Sequence, residues 1–297
     1  MLVKMRLGFR LSPILLFALL ASSCAGPLNF RDASGPRYSG CCVPAGGNVD
    51  SLRVVTFNIE FALNVDRAVT LFERTPELRD ADVVFLQEMD VVGTRKFAHA
   101  LGYNYVYYPA TIHPKTGRPF GDAILARWPI EDDKKILLPH LGRFGKTQRI
   151  AVAGTIRVDD RVIRLYSVHL ATGIESRRGW QPDQARAIAA DADTAHADAV
   201  IIGGDFNSGG VGETLHADGY DWVSRGLPPT VSMFSIDHVF LRGVGLTRPD
   251  ARGVVADNNG ASDHLPLWVT VGVGGRYAPG LAVVSAVQSS ATVRPAP

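Results

Sequence analysis

Hydrophobic and polar positions along the chain predict many short strands and few helices. Leu52 to Phe57 and Asp82 to Gln87 are rich in Val, Leu and Phe, and each run is followed by a polar side chain. Further strands are predicted at residues 105–108, 123–126, 150–158, 162–169, 199–202, 236–241 and 265–271. Nine short strands exceed what one flat sheet usually holds, so the pattern predicts two packed sheets.

Two stretches have the spacing of amphipathic helices. Asp66 is a candidate N-cap for the first, whose apolar face would include Ala68, Leu71 and Phe72. The second extends roughly from Pro182 to His196 and places four apolar residues on one face: Ala185, Ile188, Ala189 and Ala192. Helices of this kind cover the faces of sheets, so the predicted fold class is an α/β sandwich.

The beginning of the chain has the layout of an export signal. Three cations, Lys4, Arg6 and Arg10, precede an apolar stretch from Ile14 to Ala21, which is too short for a permanent membrane span. Small residues then precede Cys24. Residues 1–25 are therefore predicted to be a signal peptide, and two alternatives remain open: lipidation of Cys24, or plain cleavage near Ala25. Either predicts an extracytoplasmic protein that is secreted, periplasmic or lipid-anchored to the membrane.

The segments on either side of the predicted domain differ from it in composition. Residues 26–50 are rich in Gly, Pro, Ser and Asn, which predicts a flexible linker that contains two exposed thiols, Cys41 and Cys42. Residues 273–297 mix Ser, Val, Ala and Pro and are predicted to form a loose tail. A single domain is predicted over residues 51–272.

Composition and charge narrow the class of protein. Of the 297 residues, 46% are hydrophobic and 20% are charged, so a sizeable core can form. The formal net charge is +2 and falls to −1 without the three cations of the signal. This balance weakens the case for nonspecific binding to duplex nucleic acid, although a local basic groove stays open. No protein partner is indicated.

Polar side chains collect at the predicted strand ends: Asn58, Gln87, Glu88, His169, Asp205, Asn207, Asp237, His238, Asp263 and His264. Each one alone is typical of a turn or of a structural histidine, but together they predict a shared cleft. Carboxylate and amide oxygens are the ligands that Mg²⁺ prefers. Hydrolysis of a phosphodiester also needs a base for water and donors for the phosphoryl oxygens, and His264 and His169 are candidates.

The ordered motifs at these strand ends resemble the endonuclease/exonuclease/phosphatase superfamily, which includes pancreatic-type deoxyribonuclease and neutral sphingomyelinases. They are Val55-Thr56-Phe57-Asn58, Phe85-Leu86-Gln87-Glu88, Ser167-Val168-His169, Gly204-Asp205-Phe206-Asn207, Ile236-Asp237-His238 and Ser262-Asp263-His264. The resemblance spans roughly residues 51–271. It implies a four-layer α/β sandwich with two packed, mainly antiparallel sheets flanked by helices, and catalysis that depends on Mg²⁺ or Mn²⁺.

The resemblance also implies roles for individual residues. Glu88 matches the main metal ligand, with Asn58 and Asp263 close to the ion. His264 matches the residue that activates water or binds the scissile phosphate, and Asp237 its orienting carboxylate. Three further residues match groups that contact the water, the phosphate or the leaving oxygen: Asp205, Asn207 and His169.

Some positions leave alternatives open. Asp122 stands where the family commonly has Asn, and its charge could repel a phosphate or join the metal shell. Glu60 is either a solvated carboxylate or a neighbour of the ion. Arg118 is a candidate substrate-binding cation on a rim with nearby tyrosines, the alternative being an ordinary strand with a solvated loop. Arg149 is only a weak candidate for the cleft.

The sequence thus predicts an exported, divalent-metal-dependent phosphoester hydrolase, most simply a phosphodiesterase. Its partner would be a phosphoester substrate, either nucleic acid or a phospholipid head group, and Cys24 would supply a membrane attachment. The alternative from another class is a catalytically silent surface binding module on the same scaffold.

Overall fold

A computed structural model of the protein describes residues 28–40, 47, 49–114 and 116–274. The predicted signal peptide and Cys24, both linker cysteines and residues 275–297 of the predicted tail lie outside these residues. Within the described part of the chain, no helix has the length and apolar character needed to cross a membrane.

The described residues form fourteen strands in two sheets. In chain order they are β1 (Tyr38–Gly40), β2 (Ser51–Asn58), β3 (Val83–Met89), β4 (Asn104–Ile112), β5 (Pro119–Ala126), β6 (Glu131–Leu137), β7 (Ile150–Val158), β8 (Arg161–His169), β9 (Ala199–Asp205), β10 (Asp221–Trp222), β11 (Asp237–Arg242), β12 (Gly245–Leu246), β13 (Arg252–Val254) and β14 (Leu267–Gly272). The first sheet has the order β1-β4-β5-β3-β2-β14-β12, with β13 also paired to β14, and the second has the order β10-β11-β9-β8-β7-β6. Only β2 with β3 and β8 with β9 are parallel among these pairs, so both sheets are mainly antiparallel.

Among the described residues, five α-helices accompany the sheets: α1 (Val65–Arg74), α2 (Pro76–Arg79), α3 (Val91–Leu101), α4 (Trp180–Thr194) and α5 (Gly212–Ala217). The first helix begins one residue after Asn64, so the predicted N-cap at Asp66 is wrong and Asp66 lies in the first turn. Asp66 still stabilises the helix there, because a carboxylate interacts favourably with the positive end of the helix dipole. The long helix, α4, lies two residues earlier than predicted.

Alternation along the strands separates the core into layers. On β3, Val83 and Phe85 belong to the apolar cluster between the sheets, whereas Val84 and Leu86 face the cluster beneath α1 and α3. A third cluster lies between the second sheet and helices α4 and α5. The protein is therefore a four-layer α/β sandwich, as predicted. Both sheets and all three clusters of the described residues are formed within residues 28–274.

The predicted flexible linker is wrong for residues 28–40, which we call the N-terminal strap. Tyr38–Gly40 pairs with β4, and the Arg37 guanidinium forms a bidentate ion pair with Asp133 on β6. The Lys135 Nζ, also on β6, donates to the carbonyls of Phe30 (2.9 Å) and Gly35 (2.6 Å). A segment without apolar periodicity can still be ordered when its backbone groups satisfy a sheet edge and a buried cation. The strap thus joins the first sheet to the second.

Candidate active site

Strand direction brings the predicted site residues to one end of the sandwich. The parallel strands β2 and β3 end at Asn58 and Met89, and β8 and β9 end at His169 and Asp205. The antiparallel partners β11 and β14 begin at the same end, after the loops that carry the remaining motifs. We call this the catalytic end. It comprises the loops at residues 59–64, 90–92, 113–118, 138–149, 170–179, 206–211, 223–236 and 255–266.

Two hydrogen bonds between side chains connect the sheets at this end, and the Ser167 Oγ also donates to the Leu86 carbonyl at 3.3 Å. The Asn58 Nδ2 donates to the Asp205 Oδ2 at 3.0 Å, and the Gln87 Nε2 donates to the Ser167 Oγ at 3.0 Å. All four side chains are fully or almost fully buried. Because buried polar groups are costly without partners, these bonds fix the register of one sheet against the other and hold Asn58 and Asp205 in place.

Glu88 reaches the cleft through a local irregularity of β3. Strict alternation would turn it to the same side as Leu86, but the β3–β5 register shifts here and Glu88 has a left-handed φ of 60°. Its Oε2 accepts from the Phe61 amide at 3.1 Å, and its Oε1 lies 3.9 Å from the His169 Nε2 on the other sheet. Burial raises the pKa of Glu88, and Arg149 partly opposes the rise. The strained backbone therefore aims a poorly solvated carboxylate into the cleft.

Asp205 lies at the centre of the cleft. Its Oδ1 accepts from the Asn207 amide at 2.8 Å, and its Oδ2 lies 3.5 Å from the His169 Nε2 and 3.7 Å from the His264 Nε2. Burial is the main cause that raises the pKa of Asp205 to about 7, followed by the charge of Asp237. A carboxyl group that titrates near neutral pH can both accept and release a proton.

His264 and Asp237 form a short buried pair. The His264 Nδ1 lies 2.8 Å from the Asp237 Oδ2, and the Ser262 Oγ holds the loop by donating to the Asn58 carbonyl at 2.6 Å. Burial alone would lower the pKa of His264, but the charge and hydrogen bond of Asp237, with Asp205 behind it, outweigh burial and raise the pKa to about 10. At neutral pH the ring is therefore an imidazolium with its Nε2 turned toward Asp205.

His169 has the opposite charge state. The Arg149 Nη1 lies 2.8 Å from the His169 Nε2, and because a guanidinium can only donate, the imidazole accepts at Nε2 and carries its proton on Nδ1. Burial holds the pKa of His169 well below its ordinary value, and the charges of Arg149 and His264 lower it further. His169 is therefore neutral, and Arg149, not His169, supplies the positive charge on this side of the cleft.

Arg149 is the functional residue that sequence reasoning undervalued. It is only 8% exposed, its Nη2 donates to the Glu175 Oε2 at 3.1 Å, and its Nε is buried without a hydrogen-bond partner. The only signal in the sequence is its position one residue before β7, at the catalytic end, where an arginine is rarely buried without a role.

Three other predicted residues, Asn207, Asp263 and Arg118, differ in their surroundings. Asn207 has a left-handed φ of 50° and donates from Nδ2 to the Leu170 carbonyl at 3.1 Å, beside the cleft. Asp263 is exposed and contacts Ser262, so its part in metal binding stays a prediction. Arg118 pairs with Asp90 at 2.8 Å and donates to the Phe61 carbonyl at 2.7 Å, which anchors the turn after β2. Its part in substrate binding also stays a prediction.

Burial and contacts describe three further positions: the tyrosines, Asp122 and His238. The tyrosines near Arg118 are buried in the core, which supports the ordinary strand and not a stacking rim: Tyr103, Tyr105, Tyr107 and Tyr108. Asp122 is 1% exposed and neither of its carboxyl oxygens has a hydrogen-bond partner. Burial raises its pKa well above the ordinary value. His238 contacts Ser208, Trp222 and Ser224 and is structural.

The donor set fits a divalent cation. Ligand atoms of Asp205, Asp237 and His264 lie within 4.8 Å of one another, and the group is buried. The Asp237 Oδ1 is buried without a partner, and the Glu88 carboxylate has one backbone hydrogen bond against a large desolvation cost. A hard cation with oxygen ligands would supply the positive charge that these carboxylates lack. The geometry favours Glu88 as the ligand of the cation. In the Asp237–His264 pair, the 2.8 Å hydrogen bond already occupies the Asp237 Oδ2 and the His264 Nδ1.

The fold and the site together define a class of protein: a four-layer sandwich with an acid–histidine cleft, fitted to a divalent cation, at one end of its paired sheets. The profile of the Endonuclease/Exonuclease/phosphatase family matches residues 55–264, more than half of the chain. The chain therefore belongs to this family, whose members are generally phosphoester hydrolases. None of the curated proteins compared with the chain matches it significantly in sequence.

Solved structures have the same fold at low sequence identity. An endonuclease/exonuclease/phosphatase from Beutenbergia cavernae is similar with a TM-score of 0.62 and 18% identity, over 77% of this chain and 73% of that one. D. rerio TDP2 complexed with single strand DNA product gives 0.55 and 19%, over 76% of this chain and 100% of that one. The human Nocturnin catalytic domain with bound sulfate anion gives 0.55 and 20%, over 79% and 97%.

Proposed function

We propose that this protein is an exported, divalent-metal-dependent phosphodiesterase. The observation that carries the proposal is the convergence of Glu88, Asp205, His169 and the Asp237–His264 pair on one buried cleft. A binding module would have no need for a carboxylate and two histidines held at these distances and in opposite charge states. Export and the extracytoplasmic location rest on the pattern of residues 1–25 alone.

The chain's own residues divide the work of hydrolysis. Asp205, fixed by the Asn58 amide and the Asn207 backbone, is placed to take a proton from a water molecule that attacks phosphorus. The His264 imidazolium, oriented by Asp237, is placed to donate from Nε2 to a phosphoryl oxygen. As the bond from water to phosphorus forms, the ester P–O bond breaks, and the departing oxygen takes up a proton from solvent water. Of the two roles that the resemblance implies for His264, this assignment selects binding of the scissile phosphate, because a ring that is protonated at neutral pH is an acid or a charge stabiliser before it can be a base.

Glu88 would hold Mg²⁺ or Mn²⁺, with Asn58 beside it. Bound there, the cation would neutralise charge that builds on the phosphoryl oxygens and lower the pKa of water. Arg149 adds a second positive charge next to His169, so that a phosphate lying between Arg149 and the His264 ring meets a donor on each side.

A nuclease is a second candidate within the same reaction class. The observation in its favour is the similarity to the TDP2 structure that contains a single strand DNA product. At 19% identity this similarity shows the fold, and substrate choice depends on the loops around the cleft.

The test is hydrolysis of bis(p-nitrophenyl) phosphate, plasmid DNA, RNA and phospholipids by residues 28–274, with Mg²⁺ or Mn²⁺ and with a chelator. We expect metal-dependent cleavage, and a loss of at least about 100-fold in Glu88→Gln, because a metal site that loses a ligand loses affinity. Metal binding is followed separately by calorimetry. Glu73→Gln, an exposed glutamate on α1, is the matched control and should behave like the wild type.

Two outcomes contradict the proposal. Full activity in the presence of chelator would show that hydrolysis does not depend on a divalent metal ion. Metal binding by Glu88 without hydrolysis of any phosphodiester would favour the silent binding module.

A further inference from the structure

Exposed apolar side chains are concentrated at the catalytic end. Of the eight large hydrophobic residues that are exposed in the described part of the chain, six lie in its loops or in the first turn of α3: Leu63, Val92, Phe144, Ile174, Met233 and Phe234. A seventh, Leu28, accepts a hydrogen bond from the Ile112 amide, where β4 ends at the same edge. Scattered apolar residues need no explanation, but a set gathered around one cleft marks a binding surface.

Two of the loops are joined directly beside Arg149 and His169. The Arg143 amide donates to the Glu175 carbonyl at 2.7 Å, and the Thr147 Oγ1 donates to the Glu175 Oε1 at 3.3 Å. Glu175 in turn accepts from Arg149. Phe144, which is 68% exposed, and Ile174, which is 79% exposed, are sequence neighbours of these contacts and therefore project from adjoining loops next to the cleft.

The same loops carry a strong excess of positive charge. Their exposed cations are Arg143, Lys146, Arg177 and Arg178, and the one acid in residues 138–149 and 170–179 is Glu175, which is paired with the buried Arg149. We call these six residues, the four cations with Phe144 and Ile174, the rim patch. Apolar tips surrounded by cations match an interface that offers acyl chains beneath anionic phosphates.

We propose that the rim patch docks the catalytic end onto an anionic phospholipid surface, so that the phosphoester cleaved is that of a lipid head group. This deepens the proposed function and rests on it for the chemistry. The four cations alone would also suit the backbone of a nucleic acid. The aliphatic tips decide against it, because Ile174, Leu63 and Val92 cannot stack on bases but can enter an acyl layer.

The path of the chain into the domain agrees with this orientation. The Asn29 Nδ2 donates to the Lys146 carbonyl at 2.8 Å, so the N-terminal strap starts beside the rim patch. Cys24 precedes Leu28 by four residues, which span at most roughly 14 Å when extended. A lipid on Cys24, one of the two alternatives that the sequence leaves open, would therefore hold the catalytic end toward the membrane and not away from it.

Cosedimentation of residues 28–274 with phospholipid vesicles tests the docking surface without the signal segment or a lipid anchor. We expect binding to mixed phosphatidylcholine and phosphatidylglycerol vesicles, weaker binding to phosphatidylcholine alone, and about tenfold weaker binding for each of Phe144→Ser and Ile174→Ser. Tyr38→Ser should bind like the wild type, because Tyr38 is the one large exposed hydrophobic residue of the described part of the chain that lies away from the catalytic end. Thermal unfolding checks that each variant is folded.

The charge of the patch is tested with a matched pair of double variants. Arg177→Gln with Arg178→Gln should reduce binding to the anionic vesicles by about tenfold per charge and reduce its salt dependence, since each cation near such a surface contributes a similar amount. Arg74→Gln with Arg79→Gln removes the same charge from exposed positions on α1 and α2 and should leave binding unchanged.

Hydrolysis of bis(p-nitrophenyl) phosphate separates the two proposals. If the rim variants keep this activity but lose vesicle binding and phospholipid cleavage, both proposals stand. No vesicle binding by an active wild-type protein, equal binding by the rim variants, or binding of single-stranded DNA in place of vesicles would overturn the docking surface. Vesicle binding without any hydrolysis would instead overturn the proposed function.

Discussion

His264 and His169 lie on opposite sides of Asp205, and both are buried, yet their charges differ. The nearest partner of His264 is the Asp237 carboxylate at 2.8 Å, whereas the nearest partner of His169 is the Arg149 guanidinium at 2.8 Å. Burial disfavours the imidazolium in both, but only in His264 does a carboxylate outweigh it. One residue type thus serves as an acid on one side of the cleft and as an acceptor on the other.

The opposite charge states of His264 and His169 determine how a phosphate would be held. An anion between the two rings would meet a donor on His264 and a donor on Arg149, while neutral His169 orients that guanidinium through Nε2. Positive charge is therefore delivered from both sheets, although only one histidine is protonated. Each side can be altered separately.

Among changes that act on one of the two histidines, the largest effect is expected from Asp237→Asn, which removes the charge that raises the pKa of His264. The His264 pKa should fall from about 10, and kcat/KM should drop by about 10–100-fold, because the ring loses both its orienting partner and its proton at the working pH. Ring resonances followed by NMR across pH measure the first effect and steady-state kinetics the second. His238→Gln, a nearby buried histidine outside the cleft, should alter neither by more than a small factor.

Asp237→Asn should also change the way in which the free energy of unfolding depends on pH. A raised folded-state pKa means that the stabilisation from His264 is fully present below its ordinary value of 6.5 and is lost as pH rises through about 10. In Asp237→Asn the loss should occur at lower pH. Identical pH dependence of thermal unfolding in both proteins would show that Asp237 does not set the charge of His264.

A smaller effect, on the other side of the cleft, is expected from Arg149→Met. Loss of the guanidinium should raise the pKa of His169 toward its ordinary value and reduce kcat/KM roughly tenfold or more, the equivalent of one charge-assisted hydrogen bond. Arg164→Met is the matched control, since Arg164 is also buried but contacts Asp132 and Thr155 at the far end of the second sheet. If the two variants shift His169 equally, the arginine acts through stability alone.

What the sequence predicts well depends on local pattern. Strand ends such as Asn58 and His169 follow alternating or apolar runs, and the chain order of parallel and antiparallel strands then brings the polar ends together. The four layers and the acid–histidine cleft follow from the same patterns. The β3 irregularity that redirects Glu88 has no such signal, because a bulge is a property of two paired strands.

Other features depend on partners distant in sequence. The N-terminal strap is ordered by Asp133 and Lys135, about 100 residues further along, so its Gly- and Pro-rich composition alone suggested a linker. Arg149 is held in the cleft by contacts with Glu175 and His169, and neither residue is a neighbour of Arg149 in the sequence. The exposed loop residues of the rim patch become a surface only once the strand ends have been brought to one edge.

The smallest effect is expected from Asp122→Asn. Asp122 lies on β5 in the same alternation as Ile124 and so faces the second sheet. Burial is the main cause that raises the pKa of this carboxyl group well above its ordinary value; Arg149 lowers the pKa, and Glu88 and Asp205 raise it further. Because the folded state holds this proton and the unfolded chain releases it above an ordinary value of 3.8, Asp122 lowers stability increasingly as pH rises. Asn has no such proton, so the variant should gain about 1–3 kcal/mol of unfolding free energy at pH 8 and little at pH 4, measured by denaturant titration without metal. A variant that instead loses affinity for Mg²⁺ or Mn²⁺ in calorimetry, with no gain in metal-free stability, would place Asp122 in the metal shell and make it a third carboxylate beside Glu88 and Asp205.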